Sequence, residues 1–174
     1  AEQTSFEVLK QLRRKARCKT QSIAIGGGRD FPGDPAVFIQ ELETRYAITQ
    51  ARATHLAGLY GTRAHAVLRY CANVSNDGLL SEDSQYSTGE IAYLIDEEHV
   101  HSLSDIVLRR TDLAITGQIS RDMIEVICAI LANIKGWSTK QADDEKNKLI
   151  LDLENFHAVS IDTLNNRNLA RSNA

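Results

Sequence analysis

The sequence predicts an all-α protein, a non-repeating bundle of about six to eight helices with a Gly/Pro-rich loop near the N-terminus. Three observations carry that expectation. Prolines are confined to Pro32 and Pro35, so none interrupts the chain beyond that loop. The alternating β-branched runs that a half-buried strand needs are absent. Apolar residues recur at helical spacing, most clearly at Met123, Val126, Ile127, Ile130, Leu131 and Ile134, the stripe by which a helix buries one face. No internal repeat at solenoid periods is visible.

The elements follow in order. Thr4 with Glu7 three residues on is a capping-box pattern, and it predicts a first helix to about Arg17 with Phe6, Leu9 and Ala16 on one face. Residues 22–35 are rich in turn formers, with a short extended piece at 22–25, then Gly26-Gly27-Gly28, then Pro32-Gly33-Asp34-Pro35. The triple glycine invites comparison with a phosphate loop. Such a loop needs a preceding strand, a defined spacing and, in the Walker type, a Gly-Lys-Ser/Thr ending. None is present, so the segment reads as a loop that needs backbone freedom.

Asp34 caps a second helix with Pro35 in its first turn; Phe38, Leu42 and Tyr46 carry it to about Gln50. Residues 52–60 form the next, stopped by Gly61, and Thr62 caps one that bears Ala64, Val67, Leu68 and Cys71. Asn76-Asp77-Gly78 breaks the chain. Ser87 with Glu90 opens a helix carrying Ile91, Leu94 and Ile95, and Ser102 or Ser104 caps a shorter one with Ile106, Val107 and Leu108. Ser120 caps the striped helix, which Lys135 and Gly136 end. Ser138 with Gln141 opens a long charged helix whose apolar side is Leu149, Leu153 and Phe156. The remainder is polar, so one domain is expected over residues 1–165, with 166–174 a flexible polar tail.

A chain of 174 residues with 43% apolar and 25% charged side chains suits one soluble domain. The net charge of -3 excludes a global basic field for nucleic acid. Lys10, Arg13, Arg14, Lys15, Arg17 and Lys19 crowd the start; they read as a solvated helix face, or as a contact for phosphate or anionic lipid. Cys18, Cys71 and Cys128 are odd in number and lack metal-ligand spacing. Cys71 and Cys128 read as small core hydrophobes, and the pattern fits a reducing cytoplasm. The most apolar stretch, residues 123–134, is too short to span a bilayer and contains Glu125. Peripheral attachment stays open.

Candidate chemistry is sparse. His99 and His101 would point about 200° apart on a helix, whereas a helical zinc pair wants i and i+4; they read as a polar helix end. His55, His65 and His157 are isolated, and no Gly-x-Ser-x-Gly elbow occurs. No catalytic, cofactor-binding or metal residue is therefore assigned. Residues 93–111 are the informative stretch. Glu98 falls at a helix end and Asp105 near the next helix start, where a carboxylate favours the dipole. Arg109, four residues on, can pair with Asp105 on one face, while Arg110 points to another partner. Paired arginines there serve as forks for carboxylates or anchors for a neighbouring domain; the plainer reading is a surface ion pair worth little. Residues 102–116 also have the length of a helix-turn-helix, but the acidic chain and the Asp105–Arg109 pairing argue against DNA.

Tyr93, Glu98, Asp105, Leu108, Arg109, Arg110 and Thr111 resemble the signature of the C-terminal helical domain of FAD-dependent (aerobic) glycerol-3-phosphate dehydrogenases and their oxidase relatives. Leu59-Tyr60-Gly61-Thr62 with Val67-Leu68 resembles that family's helix pair, and residues 20–28 its short loop ending in glycines. Ile23-Ala24-Ile25-Gly26 departs from the commoner Pro-Leu-Pro-Gly, and Ala1-Glu2 resembles the end of the segment leading into the domain. The resemblance covers residues 1–156.

The resemblance implies an upstream FAD/substrate domain in the same polypeptide, oxidising sn-glycerol 3-phosphate to dihydroxyacetone phosphate. Electrons would pass through FAD to quinone, or to oxygen in the oxidases. It implies a cytoplasmic enzyme associated peripherally with the membrane, and no nucleic acid. The flavin fingerprint is absent here, so FAD is expected in the full-length enzyme and not in this chain, which alone would be inactive. Glu98, Asp105, Arg109, Arg110 and Thr111 carry over only as a structural and interdomain set. The rival reading is a stand-alone helical interaction module without catalytic activity.

Overall fold

A computed structural model describes residues 2–14 and 23–172. Helices carry the fold, and among the described residues no strand forms beyond an isolated bridge between Leu79 and Ser87. The chain divides into two compact units, Ala1–His65 and Ala66–Ala174. No helix among the described residues is long and apolar enough to cross a membrane.

In the first unit, α1 (Glu2–Gln11) starts earlier than Thr4 and stops short of Arg17. On the face expected to be apolar and inward, Phe6 is 53% exposed while Leu9 is partly covered. Ala16 and the basic residues Lys15, Arg17 and Lys19 lie outside the described residues, as does Cys18. α2 (Pro35–Tyr46) begins as predicted: Asp34 Oδ1 accepts from the Ala36 N–H at 2.9 Å, and Phe38 and Leu42 are buried. It ends at Tyr46, not Gln50, because Ala47 turns left-handed and Thr49 caps α3 (Gln50–Tyr60) by accepting from the Arg52 N–H.

The glycine loop closes onto the end of α3. Gly26–Gly28 form one 3-10 turn and Gly61–Arg63 another. A Cβ on Gly27 would lie 2.0 Å from the Tyr60 carbonyl oxygen, and one on Gly61, at φ +54, would lie 2.1 Å from the Gly27 carbonyl oxygen. Two backbones touch where any side chain would intrude. The Thr62 hydroxyl donates to the carbonyls of Gly27 (3.3 Å) and Arg29 (2.9 Å). It therefore fastens the loop instead of capping the next helix, which the 3-10 turn feeds directly.

The chain enters the second unit within α4 (Ala64–Cys71), whose Ala64, Val67, Leu68 and Cys71 are buried. There follow α5 (Thr88–Glu97), a single turn α6 (Leu103–Asp105) widening into a π turn over Ile106–Arg110, α7 (Arg121–Lys135), α8 (Thr139–His157) and α9 (Ile161–Ser172). α7 is central, packing against α5, α8 and α9. Its Met123, Ile124, Ile127, Cys128 and Leu131 are buried with Ile91, Ile95, Leu149, Leu153 and Leu164; each large aliphatic among them contributes about 2 kcal/mol by leaving water.

Capping follows the sequence closely in this unit. Ser120 accepts from the Met123 N–H, Gly136 ends α7 at φ +66, and Ser138 with Gln141 forms a full capping box. Ser87 accepts from the Glu90 N–H, and Ser102, not Ser104, caps α6. Two predicted core positions are not core. Val126 is 37% exposed, and Phe156, in the last turn of α8, is 77% exposed. Residues 166–172 continue α9 instead of fraying, because the Arg167 guanidinium donates to the Ile119 carbonyl at 2.9 Å and the Asn168 amide pairs with Asp122.

Candidate interdomain site

The corner between α5 and α6 is built from backbone needs upward. α5 ends at Glu97 with Glu98 as its cap, His99 takes a left-handed φ of 54, and Val100 is buried. α6 then starts with a capping box. Ser102 Oγ accepts from the Asp105 N–H at 3.2 Å, and Asp105 Oδ2 accepts from the N–H groups of Ser102 and His101, each at 3.0 Å. Asp105 thereby satisfies donors that a helix start leaves open. Its other oxygen, Oδ1, pairs with Arg109 Nη2 at 2.6 Å. Burial pushes the Asp105 carboxyl upward, but the His101 and Ser102 donors and the Arg109 charge outweigh it and hold the group below its ordinary value.

The helix then widens. The Thr111 N–H donates to the Ile106 carbonyl at 3.0 Å, five residues back, and the Thr111 hydroxyl donates to the same oxygen at 2.8 Å. This π turn sends the two arginines to different partners. Arg109 returns to Asp105, while Arg110 Nη2 donates to the Glu98 carbonyl at 2.7 Å and Nη1 pairs with Glu98 Oε2 at 3.1 Å. Arg110 thus ties the end of α5 to the end of the π turn. Glu98, Asp105, Arg109, Arg110 and Thr111 all meet in this corner.

Residues the sequence reading did not single out complete it. Glu145 Oε2 on α8 accepts from the Leu103 N–H at 3.2 Å, and the Ser104 hydroxyl donates to Asp152 at 3.4 Å. The open donors of α6 and the acidic face of α8 were the available signal. Nearby, the Tyr86 hydroxyl donates to Asp112 Oδ1 at 3.0 Å and accepts from the Asp112 N–H, and burial pushes its phenol above the usual range. The Tyr70 hydroxyl donates to the Asp96 carboxylate; burial and that carboxylate push the phenol up to about 12.

The corner sorts its charges by depth. The side chains of Asp105 and Glu98 are 14% and 21% exposed, whereas Arg110 is 38% and Arg109 69%. The carboxylates are held inside and the guanidinium of Arg109 faces outward. Such an arrangement can bind a carboxylate or carbonyl edge; it offers no free base for proton transfer. Among the described residues, no group of three or more His, Cys, Asp or Glu could hold a metal ion. The glycine turn is a 3-10 turn packed on the Tyr60 backbone, and among the described residues no strand leads into it, unlike the strand-fed loop of a dinucleotide fold.

No curated protein matches the chain. One family profile does, over residues 18–142, and that match spans most of the sequence, including the α5–α6 corner. By it, the chain belongs to the family of the C-terminal domain of alpha-glycerophosphate oxidase, the C-terminal domain of a flavin oxidoreductase.

Proposed function

We propose that this chain, over residues 1–165, is the helical C-terminal domain of an FAD-dependent sn-glycerol-3-phosphate dehydrogenase. In that enzyme glycerol 3-phosphate is oxidised to dihydroxyacetone phosphate, and FAD supplies the hydride-accepting chemistry and relays the electrons to quinone. FAD and substrate belong to a domain upstream in the same polypeptide, in a cytoplasmic enzyme held peripherally at the membrane. The family match over residues 18–142 is the observation that carries this reading. No redox step is assigned to the residues of this chain, and the 3-10 glycine turn packed on the Tyr60 backbone is consistent with that reading. Their part is to pack beside the flavin domain, and the outward Arg109 over a half-buried Asp105 supports the α5–α6 corner as the docking site.

The test compares two preparations. The full-length product should carry a flavin spectrum that bleaches with glycerol 3-phosphate and recovers with a soluble quinone; recovery with oxygen alone would reassign the acceptor. The 174-residue chain alone should show neither flavin absorbance nor turnover. FAD bound to this chain, or a full-length product that glycerol 3-phosphate does not reduce, would overturn the proposal.

A further inference from the structure

The first unit contains a cleft of about 680 Å³ whose walls include Arg29, Asp30, Phe38, Glu41, Thr62 and His65. Within it, His65 meets Phe38, Glu41 and Tyr46 of α2. Its Nδ1 lies 3.1 Å from the Tyr46 hydroxyl and its Nε2 lies 3.4 Å from Glu41 Oε1. Its ring stands edge-on to Phe38, with centroids 5.4 Å apart, and the side chain is 19% exposed. Tyr46 and Glu41 both sit on α2, so the imidazole bridges α2 to the start of α4.

The contacts with Tyr46 and Glu41 favour one place for the proton. An ionised carboxylate only accepts, so the contact with Glu41 is attractive only if Nε2 carries hydrogen. In the neutral ring Nδ1 is then an acceptor, and Tyr46 must donate its phenol proton to it. When the ring is protonated, Nδ1 becomes a donor and the Tyr46 hydroxyl must turn around and accept. The Glu41 contact becomes charge-assisted at the same moment. Histidine is the side chain that ordinarily changes charge between pH 5 and 8.

We propose that His65 is a proton-operated latch: its protonation reverses the Tyr46 hydrogen bond, tightens its hold on Glu41 and gives the cleft wall a positive charge. The charges around it come from each neighbouring segment. α2 supplies Glu41, Arg45 and Tyr46, with Arg45 Nη1 3.5 Å from the same Glu41 oxygen. The loop after the glycine turn supplies Arg29 and Asp30 to the cleft, and the preceding 3-10 turn carries Arg63. α3, which packs on α2, carries Arg52, His55 and Tyr60. Arg45 shares the Glu41 carboxylate with the imidazole and so offsets part of the attraction that protonation adds.

Long-range nitrogen–proton NMR on the whole chain, titrated from pH 8 to pH 5, tests this. At pH 8 the Nε2–H tautomer of His65 should dominate by about tenfold, the worth of one hydrogen bond. The Tyr46 ring and α2 amide signals should move with the same midpoint as His65. In Tyr46→Phe the tautomer preference should fall and the α2 amides should no longer follow the ring. If that variant does not fold, the wild-type titration decides. An Nδ1–H tautomer at pH 8, a His65 that does not titrate, or Tyr46 and α2 signals that stay flat through its titration would overturn the latch.

Discussion

The glycine clasp of the first unit and the arginine corner of the second each fix a turn between helices, by opposite means. The clasp works by subtraction. Gly27 and Gly61 remove side chains so that two backbones can touch, and Thr62 fastens the contact to the carbonyls of Gly27 and Arg29. The corner works by addition: Glu98 holds Arg110, while Asp105 pairs with the outward Arg109 and accepts from the His101 and Ser102 N–H groups. Steric exclusion is indifferent to pH and salt. Charge pairing is graded, responds to both, and leaves an outward group that can serve a partner. The clasp is thus purely a scaffold, whereas the corner can be scaffold and contact at once.

The largest effect should come from the clasp. Gly27→Ala places a methyl group 2.0 Å from the Tyr60 carbonyl oxygen, which is backbone and cannot step aside. Overpacking of that kind should cost about 3 kcal/mol in urea unfolding. Gly28→Ala is the control, since a Cβ there meets nothing within 4 Å; its change should stay within about 1 kcal/mol. Equal effects at the two glycines would show that the close approach does not hold the loop.

A smaller effect, of a different kind, is expected at the corner. Asp105→Ala removes a helix cap and a partner for Arg109, and should cost about 1–2 kcal/mol near neutral pH. Because the folded Asp105 carboxyl lies below its ordinary value of 3.8, its contribution is complete above that value and is lost as pH falls through the lower folded value. The gap between wild type and Asp105→Ala should therefore be full above the ordinary value of 3.8 and narrow as the pH falls below it, while the Gly27→Ala gap stays constant. Unfolding curves at pH 6 and pH 2.5 separate the two. A deficit at Asp105 that ignores pH would mean that the side chain acts by shape alone.

What the sequence disclosed follows the same division. Signals that act within a few residues were legible: Asp34 before Pro35, Ser120 before Met123, Ser138 with Gln141, and Asp105 four residues before Arg109. Partners brought from afar were not. Thr62 has the look of a cap, but its hydroxyl goes to carbonyls more than thirty residues back. Asp77 looks like a turn residue, yet its Oδ1 accepts from the Gly89 N–H at 2.7 Å and from the Thr88 hydroxyl at the start of α5. Phe6 and Phe156 lie on apolar faces, and spacing cannot say whether another element covers a face. The polar end of the chain became helix because Arg167 and Asn168 find partners near the start of α7, which composition does not reveal.

The smallest change in stability should carry the most functional information. Arg109 is 69% exposed and pairs with Asp105 only four residues away, so Arg109→Ala should cost the isolated chain no more than about 0.5 kcal/mol. Arg110 bonds both the carbonyl and the carboxylate of Glu98 and is better covered, so Arg110→Ala should cost more. In the full-length enzyme the order should reverse if the corner docks on the flavin domain, because the outward fork is the group a partner can reach. There, Arg109→Ala should uncouple the thermal unfolding of the two domains and speed proteolysis between them, with the isolated chain unchanged. A full-length Arg109→Ala that melts and resists protease like wild type would reduce the corner to a local brace. The outward guanidinium would then be an ordinary surface charge, and docking would have to lie elsewhere on the helical domain.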